Sequence, residues 1–259
     1  MVRYLIIGIL VWLLWNCWTS PSYANDLYIN QVGANVTITI VQDGQNNSIG
    51  TSSTSASLDG NNIDVTINQE TDGGSIGLSV DGNDNAMIVK QKCHKGSSCN
   101  ADTMDINVTG TSNSMQLGQG YKITDTDSWL YDGTEHGGHD IELSVSGNDN
   151  SIRLSQRSQN NTSDHNMDID ITGNDNNVHV MQEANQDKTL DLTINNNDNN
   201  VFIHQKKHYG HTATVTLDGS YGTSINLYQG TSNTTSARSY TLNQNCVTVG
   251  GCSLSVTQE

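Results

Sequence analysis

The chain has 259 residues, of which 27 are Asp or Glu and 11 are Lys or Arg, so its formal net charge at pH 7 is -16. A field of that sign repels phosphates and anionic lipids, which argues against nucleic-acid binding and against attachment to an acidic membrane surface. One proline and one phenylalanine in a chain of this length argue against an ordinary globular domain.

Residues 1–24 differ in chemistry from the rest of the chain. A basic residue precedes an unbroken apolar run from Leu5 to Trp15, and the segment ends at Ala24. The run is too short to cross a hydrocarbon core, which needs roughly 20 apolar residues. This layout predicts a secretory signal peptide over residues 1–24 and a secreted chain over residues 25–259, without membrane attachment after cleavage.

From residue 25 onward one sequence pattern recurs: alternating apolar residues, a turn of Gly, Asn and Asp, alternating apolar residues again, and then Gln. Ile169 and Ile171 alternate with polar residues before one such turn, and Val178 and Val180 do so after it. That period of two predicts two short β-strands, each with one apolar face. Clear copies are Ile76–Gln91, Met104–Gln119, Ile141–Gln156, Met167–Gln182, Leu190–Gln205 and Ala213–Gln229, with weaker copies at both ends.

The spacing of the copies predicts the fold class. One copy buries few apolar side chains at roughly 2 kcal/mol each, against an ordering cost of about 1 to 2 kcal/mol per residue, so it is not stable alone. Copies stacked about 4.8 Å apart would pair every strand with the strands above and below it. We therefore expect an all-β protein, a β-solenoid of stacked strand-turn-strand repeats of about 22-29 residues.

The glutamine that ends each copy is explained by stacking. An amide both donates and accepts hydrogen bonds, so each glutamine can bond to its copy one coil away, and the turn asparagines can do the same. The alternative is that these are solvated polar positions. The stacking interpretation predicts a structural ladder of Gln91, Gln119, Gln156, Gln182, Gln205 and Gln229.

Residues 121–140 break the period and contain Trp129, Tyr131, His136 and His139. We interpret this segment as an insertion loop and as the candidate surface for a receptor or glycan. Its histidines lack further ligands at metal-binding spacing, so a solvated loop is favoured over a metal site.

Four cysteines follow the predicted signal peptide and form two pairs of equal spacing, Cys93 with Cys99 and Cys246 with Cys252. In an exported chain such local pairs indicate disulfide bonds. The alternative, a zinc site built from the same cysteines, would require distant coils to meet.

Turn aspartates recur at one position of the repeat, at Asp84, Asp149, Asp175 and Asp198. Oxygen ligands at alternate positions also open a calcium-binding loop, which makes these residues weak calcium candidates. The bidentate acid that completes such a loop is missing. We expect no other metal and no cofactor.

Near the amino terminus, Gln31-Val32-Gly33-Ala34-Asn35 is followed by Gln42-Asp43-Gly44-Gln45-Asn46-Asn47. Both stretches resemble the Gln-x-Gly-x-x-Asn element of the curlin repeat in curli-type fibre subunits. The resemblance implies an extracellular structural protein whose β-solenoid subunits add end to end into an amyloid-like fibre or matrix that serves adhesion. Self-association is then its main interaction.

Turns of Asn-Asp-Asn and repeats of unequal length leave a second function open. This is a non-polymerising β-solenoid adhesin, or a phage or cell-surface appendage protein, that binds a receptor or glycan through residues 121–140. Ice binding ranks last because the threonines do not recur at one fixed repeat position. The sequence has no Gly-x-Ser-x-Gly elbow, phosphate loop or acid pair outside the repeat, so we expect no enzymatic activity.

Overall fold

The computed structural model describes residues 26–43, 47–50, 54–71, 74–93, 102–120, 122–123, 129–130, 139–147, 149–157, 165–173, 175–183, 187–195, 198–206, 210–219, 223–230, 238–246 and 252–258. The predicted signal peptide, Cys99 and most of the predicted insertion at 121–140 lie outside these residues. Every regular element in the described part of the chain is a β-strand, which confirms the all-β prediction.

The strands form two large parallel sheets and one small hairpin. The first sheet contains β1 (Asp26–Leu27), β2 (Asn30–Val32), β4 (Ser48–Ile49), β5 (Ala56–Asp59), β7 (Ser75–Asp81), β9 (Asp102–Thr109), β13 (His139–Ser146), β15 (His165–Thr172), β17 (Lys188–Asn195), β19 (His211–Gly219) and β21 (Arg238–Cys246). The second contains β3 (Thr37–Asp43), β6 (Asp64–Thr71), β8 (Ala86–Cys93), β10 (Ser114–Gln119), β14 (Ser151–Arg157), β16 (Asn177–Glu183), β18 (Asn200–Lys206), β20 (Ser224–Gln229) and β22 (Ser253–Gln258). The antiparallel hairpin is β11 (Lys122–Ile123) with β12 (Trp129–Leu130).

The chain alternates between the two large sheets, and from β7 onward each coil adds one strand to each of them. The first two coils each add two short strands to the first sheet, β1 with β2 and β4 with β5. Equivalent residues of successive coils pair in register. Ile141 of β13 lies between Met104 of β9 and Met167 of β15, and the second sheet is stacked in the same way. The predicted β-solenoid of stacked strand-turn-strand repeats is confirmed.

The core lies between the sheets and is formed by alternate residues of every strand. Ile169 and Ile171 of β15 face Val178 and Val180 of β16, and all four side chains are fully buried. Each such aliphatic side chain contributes about 1.5 to 3 kcal/mol. Because the coils above and below cover the same side chains, this burial depends on stacking.

The turn between the two strands of a coil has two special positions. Gly147 has φ 151° and Asp149 has φ 54°, both in the region that L-residues with a Cβ rarely adopt. A Cβ on Gly147 would lie 1.4 Å from the carbonyl oxygen of Gly110, the equivalent glycine of the preceding coil. The glycine is therefore required by close contact between turns as well as by its φ.

From β9 to β19, the strands of the first sheet begin two residues before the predicted repeat copies. β13 starts at His139 and β15 starts at His165, whereas the copies were predicted from Ile141 and Met167. The last two residues of the predicted insertion therefore belong to β13. The alternation continues into these residues with a polar side chain at the inward position.

Candidate functional site

The repeat glutamines form one buried column along the solenoid. In each coil the side-chain Nε2 donates to the Oε1 of the glutamine in the preceding coil, and the members of the column from Gln69 to Gln229 are each no more than 2% exposed. The bonds run from Gln69 to Gln42 (2.8 Å), Gln91 to Gln69 (2.9 Å), Gln119 to Gln91 (2.9 Å), Gln156 to Gln119 (3.1 Å), Gln182 to Gln156 (3.0 Å), Gln205 to Gln182 (2.7 Å) and Gln229 to Gln205 (3.0 Å). The ladder thus contains every glutamine proposed for it, together with Gln42 and Gln69.

Each glutamine amide also donates to the main chain of the first sheet. Gln156 Nε2 lies 2.6 Å from the carbonyl oxygen of Asn166, and Gln182 Nε2 lies 2.9 Å from that of Thr189. These bonds connect the end of one coil to the first strand of the next. A buried amide that makes all of these bonds is stabilising, whereas a buried amide left unpaired costs about 1 to 3 kcal/mol.

A second amide column lies in the turns. The main-chain nitrogen of Asn85 donates to Oδ1 of Asn113, and that of Asn113 donates to Oδ1 of Asn150, both at 3.3 Å. All three asparagines are buried. They follow the residue of positive φ and join each turn to the next coil.

The turn aspartates proposed as calcium ligands occupy the position of positive φ. Asp84, Asp149, Asp175 and Asp198 have φ between 54° and 58° and are exposed. Asn62 and Ser112 occupy the same position in other coils with φ 52° and 54°. Backbone conformation therefore accounts for the residue types, since Asp and Asn tolerate this region best after Gly. Among the described residues, no group of three or more His, Cys, Asp or Glu side chains is placed to hold a metal ion.

The proposed cysteine pairs lie at the ends of strands. Cys93 ends β8 and Cys246 ends β21, while Cys252 directly precedes β22. Cys252 is disulfide-bonded. The pairings of Cys93 with Cys99 and of Cys246 with Cys252 stay predictions.

An acidic column runs along the outer face of the first sheet. Asp105, Glu142, Asp168 and Asp191 lie in register on β9, β13, β15 and β17. The pKa of Glu142 is raised chiefly by the charge of Asp105 and, to a smaller extent, by burial. Burial, followed by the charges of Asp170 and Asp191, raises the pKa of Asp168. Stacked carboxylates of this kind repel one another and weaken the sheet.

A buried column of ionisable residues lies on the inner side of the same strands. The sequence pattern did not predict it. It consists of Asp102, His139, His165, Lys188 and His211, each no more than 1% exposed. They occupy the first position of β9, β13, β15, β17 and β19 and pair in register. The available signal was the alternation itself, which continues two residues upstream of each apolar run.

Ring contacts cover part of the outer face of the second sheet. His179 meets Phe202 edge to face with ring centroids 4.7 Å apart, and His204 meets Tyr228 in the same way at 4.5 Å. Burial lowers the pKa of His204 to about 4, and the Lys206 charge adds to this effect. These rings stabilise neighbouring coils, since edge-to-face aromatic pairs add about 0.5 to 1.5 kcal/mol.

Both ends of the described stack have unpaired strand edges: β21 and β22 form one end, and the amino-terminal coil, here called the open end, forms the other. β3 pairs with β6 on one side, and no described strand pairs with its other edge. Leu27, Ile29, Val36 and Ile38 point toward the core but are only partly buried. Their counterparts in the following coil are covered on both sides and are fully buried: Ile49, Ala56, Ile63 and Val65.

No helix capable of crossing a bilayer occurs among the described residues. Of the stretches that resemble a curlin element, Gln42 belongs to the buried glutamine column, whereas Gln31 on β2 is exposed. Comparison with protein-family models, with curated proteins and with solved structures found no match. The curlin resemblance therefore stays an expectation drawn from the spacing of Gln, Gly and Asn.

Proposed function

We propose that this chain is a secreted, non-enzymatic structural protein, the subunit of an extracellular curli-like amyloid fibre or matrix involved in adhesion. The observation that carries the proposal is the unbroken glutamine column, which extends to an amino-terminal coil with an open strand edge. Parallel strands stacked in register with ladders of like amides are the arrangement on which amyloid fibres are built.

The open end supports head-to-tail growth. β3 offers one unpaired edge, and the partly buried Leu27, Ile29, Val36 and Ile38 gain cover only if another coil lies on them. A second copy placed with its β21 and β22 over this end would continue both sheets. Such a contact joins different surfaces of the two copies and does not close, so it generates a filament.

Charge opposes this association. The chain carries a formal net charge of -16, and the outward acidic column runs along the stacking direction. Screening by salt reduces repulsion between exposed charges beyond roughly 10 Å at 0.1 M ionic strength. We therefore expect assembly to be promoted by salt and by divalent cations.

Electron microscopy of the purified protein over a range of salt and calcium concentrations tests the proposal. Fibres should lengthen as salt rises. The variant Ile38→Lys places a charge on the open end and should block elongation, whereas Val41→Lys, at a side chain already 71% exposed on the outer face, should not. Protein that stays monomeric under all of these conditions would contradict the proposal, as would equal elongation of the two variants.

A second candidate function is receptor or glycan binding through the insertion at 121–140. It is favoured by the hairpin of β11 and β12, in which Ile123 pairs with Trp129 outside the two large sheets. Deleting residues 122–130 should then abolish attachment to target cells and leave the far-ultraviolet circular dichroism spectrum unchanged. Attachment that survives the deletion would exclude this function.

A further inference from the structure

The buried ionisable column contains two stacked histidines at its centre. The rings of His139 and His165 are nearly parallel, 8° apart, with centroids separated by 4.9 Å. Nδ1 of His139 lies 3.7 Å from a carboxylate oxygen of Asp102. Neither ring nitrogen of His165 has a hydrogen-bond partner in the described part of the structure. The pair therefore sits in the interior as two neutral imidazoles.

Charged and titratable residues lie beside the two rings on the neighbouring strands. Asp102 faces His139 from β9, and Lys188 faces His165 from β17, with His211 of β19 one coil further. Arg157 and Glu183, at the ends of β14 and β16, form an ion pair at 3.0 Å. Gln156 is an uncharged neighbour, whose amide donates to the main-chain oxygen of Asn166, the residue after His165. The main-chain nitrogen of His165 donates to the carbonyl oxygen of Asp187 at 3.0 Å.

Two protons cannot be accommodated at this corner. A proton on His139 would face the carboxylate of Asp102, which compensates one positive charge. A second proton, on His165, would be stacked against the first at 4.9 Å and would face the like charge of Lys188. Buried charges without a counter-charge are strongly destabilising.

We propose that this column is an acid-sensitive switch, in which protonation of the stacked pair His139 and His165 opens the coils formed by β13 to β16 in mildly acidic solution. The switch is independent of fibre formation, because it acts within one chain. It belongs to the central coils, since no histidine occupies the equivalent inward positions nearer the amino terminus, which are Asn47, Gly74 and Asp102.

Burial is the main cause of the pKa changes that support the switch. Burial lowers the pKa of His139 to about 4, and the main chain of Arg157 partly opposes it. Burial also lowers the pKa of His165 well below its ordinary value, with further lowering by the charges of His139 and Lys188. The unfolded chain binds these protons more readily than the folded chain. Stability is therefore complete above about pH 6.5 and falls as the pH decreases toward 4.

The outward carboxylates of the same strands act in the opposite direction. The pKa values of Glu142 and Asp168 are raised, chiefly by Asp105 and by burial respectively. Their protonation in acid removes repulsion and stabilises β13 and β15. Titration of these outward carboxylates alone would therefore make β13 and β15 more stable in acid, which is the opposite of the change that the switch predicts.

Amide hydrogen exchange, measured by mass spectrometry on the full chain at pH 7, 5.5 and 4.5 and corrected for intrinsic rates, tests the proposal. Protection of β13 and β15 should fall on the order of tenfold per histidine for each pH unit below 6.5. Protection of β7, which has Gly74 at the equivalent position, should stay constant. Unchanged protection of β13 and β15, or an equal loss in β7, would overturn the proposal.

A variant separates the histidines from other acid effects. His139→Asn with His165→Asn installs the residue type that Asn47 has at the equivalent position, and it should keep β13 and β15 protected at pH 4.5. His179→Asn, on the outer face of the same coil, should open like the unmodified chain. If the double variant opens in acid as well, the proposal is wrong.

Should the double variant not fold, the imidazole resonances of the unmodified chain decide the question. The two buried histidines should show no titration between pH 7 and 5.5, and then change together with the amide signals of β13 and β15. Titration near pH 6.5 with intact strand signals would overturn the switch.

Discussion

Gln156 lies in the middle of the glutamine column, and the nearly isosteric change Gln156→Glu tests the column directly. Its Nε2 donates to Oε1 of Gln119 at 3.1 Å and to the carbonyl oxygen of Asn166 at 2.6 Å, while its own Oε1 accepts from Gln182 at 3.0 Å. In the variant, an acceptor oxygen replaces the donor nitrogen and faces two other acceptors. The carboxyl group must therefore be protonated to stay buried.

The cost can be worked out from this geometry. A glutamate in such a site has a pKa of about 8, against about 4.3 in the unfolded chain, so keeping it protonated costs about 3.7 kcal/mol at pH 7 and about 1 kcal/mol at pH 5. The protonated acid donates only one of the two original hydrogen bonds, which adds about 1 kcal/mol. We expect a loss of about 4 to 5 kcal/mol in the free energy of unfolding at pH 7 and of about 2 kcal/mol at pH 5.

Urea unfolding followed by circular dichroism at both pH values measures the difference, provided that the m-value is unchanged. Gln42→Glu is the matched control, because Gln42 is only half-buried in the terminal coil and its amide lies 3.4 Å from the carbonyl oxygen of Ser48. We expect that variant to lose less than about 1 kcal/mol. A Gln156→Glu variant that is as stable as the control, or whose loss does not depend on pH, would refute the reasoning.

Two further predictions concern the turns and the outer face. Gly147→Ala should unfold the central coils or lower the free energy of unfolding by more than about 4 kcal/mol, because its Cβ would lie 1.4 Å from the Gly110 oxygen. At Gly77 the atom nearest to an added Cβ is Ser55 Oγ, at 3.3 Å, so Gly77→Ala should lower the melting temperature only slightly. Similar melting temperatures of the two variants would contradict the close contact. Glu142→Gln should raise the melting temperature at pH 7, because the raised pKa of Glu142 means that its charge destabilises the folded chain. That gain should shrink below pH 4.5 and in high salt, and a gain that persists there would show a cause other than repulsion.

The sheets could be predicted from the sequence because aliphatic alternation is a direct consequence of strand geometry. Ile169 and Val178 lie where the pattern places them, and the stacking follows because a single coil has too small a core. The strand starts could not be predicted in the same way. Apolar patterning counts His139 and His165 as polar, and so it assigns them to loops although their inward positions continue the alternation.

The turns show a second limit of sequence reasoning. Gly, Asn and Asp indicate a turn, but the sequence does not distinguish an aspartate placed for a ligand from one placed for positive φ. Asp175 has φ 54°, and Ser112 has the same φ at the same position without a carboxylate. The reason for the glycine was also hidden, because contact between Gly147 and Gly110 exists only after the coils have stacked.

The glutamine column and the buried ionisable column differ in whether they can be extended without accumulating charge. A glutamine amide neither gains nor loses a proton over the ordinary pH range, so its column can run from Gln42 to Gln229 without accumulating charge. A column of imidazoles can be extended only while it stays neutral, and its described members are confined to strands from β13 to β19. The amide column is therefore compatible with growth by adding coils, whereas the proposed opening in acid belongs to the short stretch where histidines occupy the inward position.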